Sequence, residues 1–223
     1  SIAIIPFDNK GADEDDFFAY SISSELISDV TSAGLIRVAG LKDIEKLEYQ
    51  VLNYNELSEK LLVRYIAQGT LWKVDSVFQL SMELYDTKTS KVLWSESWQK
   101  EWNEIASIKG SLAENILKTL KVSTKQDIVK APTTNAEAYQ YYLMGRYKYK
   151  KQSNDGDISV AKELLRKAIE LDENLIDAQV WLGRIYQDTG NNNKALSTFE
   201  KCLKKSRELG DSIGVAGSLL GIG

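Results

Sequence analysis

The chain contains no histidine. Without imidazole, serine–histidine–aspartate and cysteine–histidine nucleophilic machinery is excluded, and with it most zinc sites. The single cysteine, Cys202, has no intramolecular disulfide partner. It falls where two helices cross and a small residue is needed, so it reads as a packing residue rather than a reactive thiol. No apolar run approaches the roughly 18 residues that a membrane-spanning helix requires. The net charge of −4 offers no general attraction to nucleic acid or acidic membrane. There are only two prolines: Pro6 stops a β-rich opening run together with Asp8, and Pro132 lies in a polar stretch of weak periodicity. Ser1 enters SIAIIPF with neither Met nor a signal-like segment before it, so the natural amino terminus is expected upstream.

With 43% hydrophobic residues in 223, the chain can build one large or two modest cores. The first part changes rhythm along its length. Ser1 to Phe7 is β-rich, FFAYSISSELISDVTSAG has helical spacing with a glycine stop, and Leu35 to Val38 reads as a second short strand. LKDIEKLEY and YNELSEKLLVR read as short helices, the latter capped by Asn53 or Asn55. The period then becomes two: Tyr65 to Val74, Val77 to Tyr85 and Lys91 to Gln99 read as an antiparallel meander, joined near Asp75-Ser76 and through DTKTSK. A helix from about Glu104 to Leu120 follows. The order β-α-β-α-β-β-β-α requires a mixed sheet with parallel crossovers early and antiparallel hairpins late.

The remainder repeats. Ala161, Leu165 and Ala168 recur as Ala195, Phe199 and Cys202, each shifted by 34 residues, on the helical segments VAKELLRKAIELDEN and KALSTFEKCLKKSRE. A helix precedes each, YQYYLMGRYKY and DAQVWLGRIYQ, with Gly145 and Gly183 where helices must approach closely. Leu182-Gly183, Tyr186, Gly190, Ala195, Phe199 and Cys202 resemble the tetratricopeptide repeat. Four extra residues around Gln152 to Asp155 are expected to widen the turn of the first repeat. Gln179 replaces the usual large aromatic and Glu173 the usual proline. A third copy begins at SIGVAGSLLGIG.

SIAIIPFDN, YSISSELISDV, LIRVAG, RYIAQGTLWKV and the string from Asp86 to Glu96 resemble the TolB-like amino-terminal domain that precedes tetratricopeptide repeats in bacterial signalling proteins. The resemblance implies a mixed-sheet α/β (α+β) domain over 1–120, a linker over 121–134, and an all-α repeat solenoid over 135–223 with two complete repeats and a truncated third. It also implies a fused effector upstream, such as a nucleotide cyclase, and a regulatory rather than enzymatic fragment.

Other chemistries have structural readings. The acidic run Asp13 to Asp16 lacks calcium-loop spacing and suits a helix amino terminus. Gly210, Gly214, Gly217, Gly221 and Gly223 follow no strand, as a phosphate loop would require, and suit close helix contacts. Trp94 and Trp98, on a strand face with Val92 and Glu96, are expected to cluster with Trp72. Glu83 and Glu96 form a candidate carboxylate pair across adjacent strands. The lysines between Lys121 and Lys151 read as a solvated surface without the interleaved aromatics of a nucleic-acid site. No cofactor or metal is expected.

The functional expectation is protein or peptide binding in the repeat groove. In the tetratricopeptide family the first helix of each hairpin lines that groove, which nominates Tyr139, Tyr142, Arg146 and Tyr149 in the first repeat and Asp177, Val180, Arg184 and Gln187 in the second. Arg146 and Arg184 are expected to grip carboxylates of a ligand bearing an aromatic or apolar anchor. The tyrosines could instead pack within the protein. Small-molecule sensing by the α/β domain is the alternative function. The apolar stripe Ile213, Leu219, Leu220 and Ile222 is expected to self-associate or fray, since solenoids need polar caps.

Overall fold

The computed structural model describes residues 1–32, 36–122 and 132–223. They fall into two compact units, Ser1–Ala131 and Pro132–Gly223.

In the first unit, β1 (Ile2–Ile4) is wholly buried and runs parallel to β3 (Tyr65–Val74). Pro6, with no N–H to donate, interrupts this edge, and β2 (Asp8–Asn9) resumes it further along β3, with Asp8 opposite Thr70. Between these strands the chain forms α1 (Asp16–Ser32), α2 (Leu41–Glu45) and α3 (Tyr54–Leu61). The antiparallel strands β4 (Val77–Asp86) and β5 (Lys91–Glu101) complete a sheet in the order β1-β3-β4-β5. This is the mixed sheet that the element order requires, with its crossover first and its meander last. The hairpins turn through residues of positive φ, Asp75 (50°) and Ser90 (54°). α4 (Ile105–Thr119) then packs against α1.

Two details differ from the pattern reading. The second strand reduces, among described residues, to one parallel bridge between Ile2 and Val38, while Gly34 and Leu35 lie outside the described residues. α2 ends at Glu45, well short of the full LKDIEKLEY segment. Asn53, rather than Asn55, caps α3: its side chain accepts from the N–H groups of Asn55 (3.0 Å) and Glu56 (3.1 Å), and Glu56 accepts in return from the Asn53 N–H (2.8 Å).

The two faces of the sheet have different fates. Asn115 of α4 donates to Glu96 (3.2 Å), so the face carrying Glu96, Met82, Leu80 and Leu84 lies beneath the helices. At its margin Lys73 sits over the rings of Phe18 (5.6 Å) and Trp102 (5.1 Å) and pairs with Asp15 at 3.5 Å. The acidic run is thus structural: Asp13–Asp15 form a short 3-10 turn, and Asp16 opens α1 and accepts from Asn9. Within this layer the Lys109 ammonium, 5% exposed, lies 3.7 Å from carboxylate oxygens of both Glu25 and Asp29 on α1. On the other face α3 covers one end, with the Tyr54 ring 4.6 Å from that of Tyr85 and its hydroxyl bonded to Glu83. Burial and the Glu83 carboxylate raise the Tyr54 pKa.

A register shift at Leu84/Tyr85 makes Leu93 an extra residue in β5. This bulge and the strand order each correct an expectation. Val92 pairs with Tyr85 and so leaves the face of Trp94 and Trp98, whose rings lie 5.6 Å apart. Trp72 joins neither, because β3 is separated from β5 by β4 and Trp72 pairs with Gln79 on the opposite face. The same alternation separates Glu83, opposite Ser95, from Glu96, opposite Met82, so they form no carboxylate pair.

At the end of the meander Arg64 donates two parallel bonds to Asp86, at 2.9 and 2.7 Å. The Arg64 hydrogen bonds lower the Asp86 pKa from 3.8 to about 2. A carboxylate with a depressed folded pKa stabilises fully above its ordinary value and loses that contribution as pH falls toward the folded one. Asp86→Asn is therefore expected to cost about 1.5–3 kcal/mol near neutral pH and progressively less on acidification toward pH 2, as read by urea unfolding at both ends of that range.

The second unit contains α5 (Ala136–Lys150), α6 (Asp155–Leu171), α7 (Ile176–Asp188), α8 (Asn192–Leu209) and α9 (Ser212–Ile222), each packed on its neighbour. Asn135 caps α5 by accepting from the Ala138 N–H (3.0 Å) and ties it to α6 by donating to the Leu171 carbonyl (3.1 Å). A Cβ on Gly145 would lie 2.8 Å from Leu165 Cγ, and one on Gly183 would lie 2.7 Å from Phe199 Cε1. Both glycines therefore stand where the helices of a hairpin touch. Of the four extra residues, one lengthens the α5–α6 connection and three extend the amino end of α6, so the turn widens little. At the two positions that depart from the repeat pattern, the Gln179 amide donates to the Glu173 backbone carbonyl (2.7 Å), and the Cys202 thiol faces the Gln179 side-chain oxygen at 3.6 Å. Cys202 is fully buried, which pushes its thiol pKa up to about 12 and leaves it a packing group. The expected linker falls largely on residues 123–131, outside those described.

Candidate peptide-binding face of the helical unit

α5 and α7, the first helices of the two hairpins, touch each other and carry the eight nominated residues. Their placements differ. Tyr139 (0% exposed) and Tyr142 (2%) are buried with rings 5.9 Å apart, and Val180 is buried beside Gly217 of α9. Arg146 is also buried and donates to the Tyr142 hydroxyl at 3.0 Å. Tyr149, Asp177 and Arg184 are half-buried, and Gln187 is exposed.

The residue that gathers this face is Trp181. Its ring lies 4.9 Å from the Arg146 guanidinium carbon, 5.1 Å from that of Arg184 and 5.2 Å from the Lys150 ammonium. Tyr149 approaches it edge-on at 6.3 Å and donates its hydroxyl to Asp188. Burial and that carboxylate raise the Tyr149 pKa, so the phenol stays neutral. Three cations from two helices thus converge on one indole, whose electron-rich face attracts them. Chemically the face can take carboxylates on its guanidinium and ammonium groups and an apolar or aromatic group beside the indole.

Sequence reasoning missed Trp181 for a definable reason. Its repeat counterpart, two residues before Gly145 as Trp181 is before Gly183, is Leu143, which is wholly buried. Matching repeat positions therefore classes Trp181 as packing. The larger aromatic at a position occupied by leucine in the other repeat is the signal that could have found it, as could Lys150, one turn beyond Arg146.

Among the described residues no group of three or more acidic or thiol side chains is arranged to hold a metal, and no helix is long and apolar enough to cross a membrane.

Residues 176–207 match the model of the tetratricopeptide repeat. Over 190 residues the chain is 23% identical to "Putative adenylate cyclase 3" of Rhizobium meliloti (strain 1021), covering 83% of this chain and 32% of that protein. It is 32% identical over 95 residues to the photosystem I assembly protein Ycf3 of Prochlorococcus marinus (strain NATL1A), covering 41% of this chain and 47% of the relative. The chain thus spans about a third and about half of these relatives. Among solved structures, TolB from Acinetobacter baumannii is similar with a TM-score of 0.40 at 16% identity, over 53% of this chain and 27% of that one. Lipoprotein GNA1162 from Neisseria meningitidis gives 0.39 at 15% identity, over 54% and 95%. Residues 176–207 thus carry one matched tetratricopeptide repeat within the helical unit, and in its residues and element order the mixed-sheet unit is similar to TolB-like domains.

Proposed function

We propose that this chain is a non-catalytic regulatory and protein-interaction module of a larger bacterial signalling protein, and that it holds an acidic peptide segment on the α5–α7 face. The observation that carries this reading is the convergence of Arg146, Lys150 and Arg184 on Trp181. Repeat solenoids use such faces for extended partners, and a peptide with carboxylates flanking an aromatic or apolar anchor matches this one. The relative bearing a cyclase name aligns with most of this chain and extends well beyond it, which supports a fused effector as what the module regulates.

Arg146 and Arg184 play different parts in this reading. Arg146 is bonded to Tyr142, so it shapes the face, whereas the half-buried Arg184 is available to a ligand. Changing both to alanine is expected to weaken peptide binding by about 1.5–3 kcal/mol per charged hydrogen bond lost. Arg184→Ala alone is expected to account for most of the loss without altering the far-ultraviolet circular dichroism. The measurement is fluorescence polarisation with an array of short acidic peptides carrying one tyrosine, tryptophan or leucine. An array without a binder, or affinity unchanged in the double variant, rejects the groove.

α9 supports a second contact. Leu219, Leu220 and Ile222 are 49%, 77% and 38% exposed on a helix whose other side packs on α8 and α7. We propose that this stripe self-associates in the isolated chain. Sedimentation velocity is expected to show a concentration-dependent dimer that Leu219→Glu with Leu220→Glu dissolves. A strict monomer across the concentration range contradicts it.

A further inference from the structure

A second gathering of cations, which the peptide reading does not use, surrounds Tyr186 near the carboxyl end of α7. Tyr186 is 9% exposed. The Arg166 guanidinium of α6 donates to its hydroxyl at 2.9 Å, and the ammonium groups of Lys162 on α6 and Lys194 on α8 stand 6.0 and 5.8 Å from its ring centre. Three positive charges, from the two helices packed on either side of α7 in the chain, therefore meet one phenol.

The carboxylates nearby do not balance them. Glu163 pairs with Arg166, but Lys162 and Lys194 have no ion-pair partner among the described residues. Glu170, Asp157 and Asp188 are engaged by Lys167, Lys148 and the Tyr149 hydroxyl. Asp155 is exposed and lies about two turns before Lys162 on α6, so even with it three cations face two carboxylates. On the α8 side the first turn has no acidic residue, and the helix dipole itself disfavours a cation at Lys194. At about 6 Å both ammonium groups also sit at the outer limit of a useful ring contact, so Tyr186 alone does not account for their convergence. The phenol has an unmet need of its own: its oxygen accepts from Arg166, but its O–H has no acceptor among the described residues. A buried proton donor held among cations fits an anionic acceptor. The ammonium groups stand over the ring and the guanidinium at its hydroxyl edge, so the donors do not share a plane. The tetrahedral oxygens of a phosphate suit that arrangement better than the planar pair of a carboxylate.

We propose that Lys162, Arg166, Tyr186 and Lys194 form a binding site for the phosphate group of a small molecule. The Arg166 fork and the Tyr186 O–H fix its oxygens, and the two flexible lysines close on it. The site uses none of Arg146, Lys150, Trp181 and Arg184, and it stands whether or not the α5–α7 face binds a peptide.

The test is isothermal titration of the full chain with inorganic phosphate and with pyrophosphate at constant ionic strength, with acetate and a phosphoserine peptide for comparison. Phosphate or pyrophosphate is expected to bind and to raise the melting temperature of the parent but not of the double variant Lys162→Gln, Lys194→Gln. Affinity should fall about tenfold or more in that double variant and about threefold to tenfold in Tyr186→Phe. It should stay unchanged in Lys204→Gln, which alters an exposed lysine further along α8. The proposal is overturned if neither anion binds more tightly than acetate, if affinity is unaltered in the folded double variant, or if Lys204→Gln weakens binding as much. Tighter binding of the phosphoserine peptide than of either free anion equally overturns the assignment to a small molecule.

Discussion

Gly183→Ala is expected to destabilise the helical unit by about 1–3 kcal/mol, although alanine is the better helix former. The added methyl would meet three atoms of the Phe199 ring, at 2.7, 2.9 and 3.0 Å, inside the α7–α8 crossing. Phe199 is wholly buried, so its ring cannot swing out to make room. Propensity gains at most about 1 kcal/mol and loses to overpacking. Thermal unfolding monitored by circular dichroism checks the prediction, and Phe199→Leu provides the decisive comparison. Leucine in place of phenylalanine costs stability by itself but vacates the contested space, so the double variant should be less damaged than the sum of the singles. Additive losses would show that the glycine is retained for some other reason. A useful contrast is Gly190, where a Cβ would meet nothing but φ is +74°; there the penalty is purely conformational, about 1–2 kcal/mol.

The larger effect is expected in the mixed-sheet unit. Lys109→Ala removes the ammonium shared by Glu25 and Asp29 and leaves their carboxylates together in a layer where Glu25 is 3% exposed. Breaking a buried ion cluster from one side costs about 3–5 kcal/mol, because the two carboxylates lose the ammonium they share. Lys109→Met should be nearly as damaging despite its similar volume, which separates charge from packing. The triple variant Lys109→Met, Glu25→Gln, Asp29→Asn should recover much of the loss. Denaturant unfolding of the four proteins decides the matter, and a Lys109→Met variant as stable as the parent would refute the electrostatic account.

How legible these features are in the sequence depends on the range of the interaction. The meander is readable because period-two alternation is local, and Tyr65 to Val74 is recovered to the residue. The repeat hairpins are readable because Gly145 and Gly183 recur beside the same register of small and large apolar positions. The Leu93 bulge is not, since Val92-Leu93-Trp94 reads as ordinary strand and only the partner β4 reveals the extra residue. That miss moved Val92 to the wrong face. The Lys109 cluster is hidden for a related reason: Glu25 and Lys109 are far apart in sequence and each looks like a surface charge on its helix. At the candidate face, repeat matching placed the eight nominated residues on α5 and α7, but it could not tell buried Tyr139 from half-buried Tyr149, because burial there depends on neighbouring elements rather than on spacing.

The bulge has a further consequence for how the molecule behaves in company. β5 is the outer strand of its sheet, eleven residues long, and a margin of that length is a template on which another extended chain can add. Leu93 breaks the even spacing of its backbone donors and acceptors, and Lys91, Glu96, Lys100 and Glu101 punctuate the rest with charge. A copy sliding alongside would have to match the kink and bring Glu96 near another Glu96 to pair antiparallel about the strand's centre. Fibre-like growth is thereby discouraged along this edge, so copies of the chain can be crowded without β5 pairing side by side with another β5.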